Sequence, residues 1–184
     1  MVSKTEKTRE RLLKASLELF AVHGYDATSV SQIAGRAGVT EMTFFRHFPT
    51  KASLLVDDPY DPLIGAGIRE QPVDLDPISR ITRGIRSAWR QLPAPATADV
   101  RERLRIVAKT PALRAGLAGG TAATEAVIAE ALVEGGTGHR EAAIAASAVM
   151  AALNTALLEW SLTEDEDLGR AIDSALGVLE DRHG

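Results

Sequence analysis

Apolar residues recur every three or four positions through most of the chain, the spacing of amphipathic helices. Residues 5–23 carry Leu12, Leu13, Leu17, Leu19 and Phe20 at that spacing, and Gly24 ends the run. Next, Val30, Ile33, Ala34 and Ala37 share one face of a short helix, leaving Ser31, Gln32, Gly35 and Arg36 on the other. Gly38 suits the left-handed turn that closes a helix, and Thr40 has the hydroxyl to cap the following one. There Phe44 and Phe48 fall together while Met42, Thr43, Arg46 and His47 point the opposite way. Two short helices joined by Ala37-Gly38-Val39-Thr40 read as a helix-turn-helix whose second helix turns hydrogen-bonding side chains outward.

Pro49 forbids continuation of that helix, and Thr50 and Lys51 open a new one. Pro59 and Pro62 predict that this fourth helix is interrupted, because proline costs about 3 kcal/mol inside a helix. Asp76-Pro77 opens a helix to about Leu92, with Ile78, Ile81, Ile85, Ala88, Trp89 and Leu92 on one face. Arg80, Arg83, Arg86 and Arg90 occupy the other, which reads as a solvated face, a second nucleic-acid patch being the alternative. After Pro93-Ala94-Pro95, helices are expected over 97–109 and from Pro111 to about Glu134, the latter weakened by Gly116, Gly119 and Gly120. Gly119-Gly120-Thr121 has no preceding strand and no Gly-Lys-Ser/Thr, so it is not read as a phosphate loop. Two apolar helices close the chain, over about 139–162 and 164–181. The fold class is all-α, with about nine helices.

Composition narrows the function. Aromatics are 4% of the 184 residues and no cysteine is present, which excludes disulfides, thiolate catalysis and cysteine-based zinc sites. Four scattered histidines offer no metal spacing, and no metal or cofactor is expected. No Ser-His-Asp arrangement is present, so an enzyme is not expected. Without a secretory core near the start or a run of about 20 unbroken apolar residues, a cytoplasmic protein off the membrane is predicted. The net charge of −4 is unevenly spread: residues 1–56 hold eight Lys/Arg against five Asp/Glu, and residues 57–184 hold thirteen against twenty. Positive charge therefore sits with the helix-turn-helix, as expected where one module meets phosphate. Lys4, Lys7, Arg9 and Arg11 either approach a DNA backbone or form a solvated helix end.

The first third of the chain resembles the TetR family of bacterial transcriptional regulators. The resemblance rests on Leu19-Phe20, Gly24-Tyr25, Thr28-Ser29-Val30, Ile33-Ala34, Ala37-Gly38-Val39, Thr43-Phe44, His47-Phe48 and Lys51. It implies a three-helix DNA-binding domain over 1–56 and a larger helical effector-binding and dimerisation domain over 57–184. The implied partner is a palindromic double-stranded operator, met through Thr28, Ser31, Thr40, Glu41, Met42, Thr43, Phe45, Arg46, His47 and Lys51. Within that set Met42 and Thr43 are the base-edge candidates, and Arg46 suits guanine or phosphate. Glu41 either accepts from cytosine or only favours the helix N-terminus. Thr28, His47 and Lys51 align with phosphate-contacting positions. Phe45 stands where the family usually has Tyr, which removes one hydroxyl and leaves a helical interaction module with lost or altered DNA binding as the alternative. The resemblance further implies a homodimer through the two C-terminal helices and an unknown small-molecule effector, with Trp89, Met150, Asn154 and Trp160 as candidate lining. Asn154 serves either ligand or a hydrogen bond across the dimer.

Overall fold

The computed structural model describes residues 4–56, 61–91, 96–164 and 167–180. Among them are eleven helices and no strand: α1 (Lys4–His23), α2 (Val30–Arg36), α3 (Glu41–His47), α4 (Ser53–Val56), α5 (Asp61–Arg69), α6 (Pro77–Arg90), α7 (Ala96–Lys109), α8 (Pro111–Gly120), α9 (Ala122–Glu134), α10 (His139–Leu162) and α11 (Leu168–Glu180). The all-α expectation holds. The count exceeds nine because the interrupted fourth helix appears as α4 and α5, and because the run from Pro111 divides at Thr121 into α8 and α9. Three glycines within ten residues weaken a continuous helix there. The expected break at Pro59 and the Pro93-Ala94-Pro95 separator lie outside the described residues.

The Gly38, Thr40 and Asp76 signals act where the sequence places them, and the structure adds a capping box at the start of α2. Ser29 caps α2 by accepting from the Gln32 amide at 3.2 Å, while the Gln32 side chain accepts from the Ser29 amide at 2.8 Å. This reciprocal box satisfies two otherwise orphaned donors. Gly38 takes φ of +66°, and the Thr40 hydroxyl accepts from the Thr43 amide at 3.2 Å. Asp76 caps α6 ahead of Pro77 in the same way, at 3.0 Å. With the ends fixed, the apolar faces meet: Leu12, Phe20, Ile33, Ala34, Phe44, Phe48, Leu54 and Leu55 form one buried cluster. Val107 of α7 and Leu113 of α8 complete it, so the body is keyed into the underside of the head.

A second cluster gathers Ile68, Ile81, Ile85, Ile128, Leu132, Val149, Leu153, Trp160, Ile172 and Leu176 around α10, which packs on α6, α7, α9 and α11. The α5–α6 crossing depends on glycine. A Cβ on Gly67 would sit 2.5 Å from the Gly84 carbonyl oxygen, and one on Gly84 would sit 2.6 Å from Ile68.

Two features depart from the helical-wheel expectation. Arg80, assigned to a solvated face, is 1% exposed. Its guanidinium lies over Gly135, with Nη1 3.5 Å from the Leu132 carbonyl at the C-terminus of α9, where the helix dipole favours a cation. Arg86 is likewise drawn inward, its side chain 23% exposed and paired with Asp173 and Glu180 of α11. Only Arg83 and Arg90 stay on the solvent side. The other feature is α10. Over eighteen residues its mean hydropathy reaches 1.5, so by length and composition it is long and apolar enough to cross a membrane. It packs on four neighbouring helices and leaves an apolar stripe uncovered.

Candidate nucleic-acid interface

The outward surface of the head is built by α3. Because Phe44 and Phe48 are fully buried on its inner side, the residues between them must face out. Glu41, Met42, Phe45 and Arg46 are exposed there, Met42 at 83% and Phe45 at 50%. Thr43 is half-buried, its hydroxyl 3.1 Å from that of the capping Thr40. Ser31, exposed on the first turn of α2, is the one member of the expected set on that helix.

The C-terminal end of α3 is held by Arg9. Its guanidinium stacks on the Phe48 ring at 4.3 Å and donates to the His47 carbonyl at 3.3 Å. Arg11 performs a related task at the end of α2, donating to the carbonyls of Ala37 and Gly38. Both arginines thus brace the motif, a role no short-range signal announced, since their partners lie 26 to 38 residues away. Partial burial, then the neighbouring Arg46 and Arg9, hold the His47 pKa below the usual imidazole value, favouring the neutral ring.

Two residues expected at phosphate are engaged elsewhere. Thr28 is 1% exposed and its hydroxyl donates to the Gly24 carbonyl at 2.8 Å, so its side chain is not on the surface. Lys51 is half-buried. Its Nζ donates to the carbonyls of Tyr25 and Thr28, each at 2.8 Å, and lies 4.2 Å from the centre of the Tyr25 ring. Those carbonyls belong to the turn that launches α2, so Lys51 ties α2 to the segment leading into α4.

The four effector candidates do not converge on a described cleft. Met150 and Trp160 are core residues, 7% and 1% exposed, and the Arg101 guanidinium lies 4.1 Å from the Trp160 ring centre. Trp89 is half-buried against the body core, and Asn154 is half-buried on α10. One cleft of about 370 Å³ lies between α1 and the end of α2, lined among others by Arg11, Lys14, Glu18 and Arg36. Another, of about 280 Å³, is lined by Gln71, Arg83, Arg86, Ser87 and Arg90. Neither includes a candidate. Among the described residues no cluster of His, Asp or Glu is arranged to hold a metal.

Residues 12–57 match the family described as "Bacterial regulatory proteins, tetR family", and residues 75–184 match the family described as "MftR C-terminal domain". The "HTH-type transcriptional regulator TcmR" of Streptomyces glaucescens is 33% identical over 86 residues, 46% of this chain and 38% of that protein. The chain spans less than two thirds of the length of the first curated relatives it matches. Among solved structures, NalD, the secondary repressor of the MexAB-OprM multidrug efflux pump in Pseudomonas aeruginosa, is 25% identical with a TM-score of 0.55. That match covers 97% of each chain. SmeT, the repressor of the Stenotrophomonas maltophilia multidrug efflux pump SmeDEF, shares the fold at 22% identity and a TM-score of 0.57, over 95% of this chain and 89% of its own.

Proposed function

The chain belongs to the TetR family of bacterial transcriptional regulators, and from that premise we propose that it is a homodimeric repressor released from a palindromic operator by a small-molecule effector. The observation that carries the reading is the outward face of α3: Met42, Phe45 and Arg46, exposed on a positively charged head within an acidic chain. In this reading α3 enters the major groove, where the methionine and the phenylalanine ring meet thymine methyl groups and Arg46 addresses guanine or phosphate. Phe45 supplies apolar contact in place of a hydroxyl. Lys51 and Thr28 act by fixing the start of α2, which leaves Ser31, Arg46 and His47 as the side chains that reach the backbone.

Dimerisation through α10 and α11 gives the two heads a two-fold relation. Ile144, Leu162 and Val178 are 65%, 54% and 58% exposed, and Ala148 and Ala151 extend the stripe along α10. A second copy would cover this stripe. The head is assigned to 1–56 and the effector and dimer body to 57–184, with cytoplasmic DNA as the site of action. α7 links them: Arg103 donates to the Leu55 carbonyl of α4, while Arg101 and Arg105 hold the carbonyls of Trp160, Ser161 and Thr163 at the end of α10. An effector that separates two body conformations would thereby bias the heads, and DNA would weaken the effector by the same factor.

The test is fluorescence anisotropy with fragments of the promoters flanking the coding gene. Tight binding to one fragment should weaken with salt by about 0.9 in log K per log unit of salt for each phosphate neutralised. Equal, weak binding to that fragment and to random DNA at physiological salt would refute operator recognition. A promoter–reporter fusion that fell silent on deletion of the gene would refute the repressor half alone.

A further inference from the structure

On α6, Arg83, Ser87 and Arg90 stand at i, i+4 and i+7, within a 60° arc of one face and about 10 Å from end to end. They line, with Gln71 and Arg86, the concave site of about 280 Å³ on the body. Its three arginines are not equivalent. Arg86 is held by two carboxylates: Nε donates to Asp173 at 2.9 Å, and Nη1 and Nη2 to Glu180 at 2.6 and 3.0 Å. Arg83 and Arg90 are exposed and form no hydrogen bond or ion pair among the described residues, although Arg83 lies near enough to Glu180 to help depress its pKa. The amide of Gln71 donates back to the Gly67 carbonyl at 3.0 Å, which fixes that wall. A cleft with one ion-paired guanidinium group and two that make no ion pair among the described residues has formed in a region whose overall charge is negative.

We propose that this cleft is a binding site for a compact phosphate-bearing small molecule, with Arg83 and Arg90 as the two cationic walls and Ser87 as the hydroxyl donor between them. Guanidinium forks match phosphate oxygens two at a time, and a pair spaced along one helix face suits a diphosphate better than a single carboxylate. The rim selects against a long polyanion, because Asp173 and Glu180 stand beside Arg86 and would face any strand continuing across α11. The site is separate from α3 and does not depend on operator recognition.

The probe is inorganic pyrophosphate, titrated into the full chain by isothermal calorimetry at low and physiological salt. Saturable binding of one pyrophosphate per chain is expected, tighter than orthophosphate. The Arg83→Ala/Arg90→Ala double variant should weaken it at least tenfold, and Ser87→Ala several-fold. Arg114→Ala, which removes an exposed arginine elsewhere on the body, should leave it unchanged. Circular dichroism confirms that each variant is folded. Absence of saturable pyrophosphate binding, or equal binding to the double variant and the parent, overturns the site. If the double variant instead loses affinity for duplex DNA as strongly as for pyrophosphate, the patch is a nucleic-acid surface and the small-molecule assignment falls.

Discussion

Lys51 separates two ways in which a basic residue can serve DNA binding, and Lys51→Met tests them while keeping most of the stem. The substitution removes hydrogen bonds to the Tyr25 and Thr28 carbonyls and the contact with the Tyr25 ring. A hydrogen bond from a charged donor contributes about 1.5–3 kcal/mol when desolvated. An exposed cation–π contact adds about 0.5–1 kcal/mol. Lys51 is half-exposed, so water recovers much of each hydrogen bond once it is gone, and the net loss should be about 2 kcal/mol. For a chain of this size each kcal/mol shifts Tm by about 2–4 °C, which predicts a fall of about 4–8 °C by circular dichroism. DNA affinity should fall as the start of α2 loosens, yet the slope of log K against log salt should stay at the parent value, because no phosphate contact is removed. An unchanged Tm together with a slope smaller by about 0.9 would show Lys51 to be a direct phosphate ligand and refute the bracing role.

Other consequences are equally direct. Gly67→Ala places a methyl group against the Gly84 carbonyl and should cost about 1–3 kcal/mol, read in a urea melt, whereas Gly136→Ala tests only strain at positive φ. Glu180 is held below the usual carboxylate range by its hydrogen bonds from Arg86 and Thr82. Its stabilising effect is therefore complete above the unfolded value and lost as pH falls through the lower, folded one. Arg86→Met should remove that acid-side slope from a stability–pH curve. His47 gives a slope of the same sign for a different reason: burial and nearby arginines disfavour its imidazolium, so its folded pKa lies below the unfolded one and stability declines as pH drops through the window beneath the unfolded value. If His47 meets phosphate, lowering pH through the same window should tighten DNA binding by favouring the imidazolium. His47→Gln should abolish both pH dependences, measured by denaturation and anisotropy.

Local chemistry made the helix-turn-helix legible. The Ser29–Gln32 box, Gly38 and the Thr40 cap act within four residues of their partners, and the Phe44/Phe48 spacing alone fixes which side of α3 is hidden. The Asp76-Pro77 start of α6 was readable for the same reason. A helical wheel, however, says which residues share a face and not what will cover that face. Arg80 shares a broad polar face with Arg83, yet the C-terminus of α9 closes over one and leaves the other in solvent. Thr28 and Lys51 have the right residue types for phosphate, but the Thr28 hydroxyl donates to the Gly24 carbonyl and the Lys51 ammonium to the carbonyls of Tyr25 and Thr28. The arginines of α7 find the ends of α4 and α10 across 48 to 62 residues of chain. The sequence by itself determined an all-helical chain with an outward-facing recognition helix on a positive head, because those properties depend on spacing. Which cations brace the fold and which remain free for a ligand was decided only by tertiary packing, because a guanidinium or ammonium group takes whichever carbonyls and carboxylates the rest of the chain brings to it.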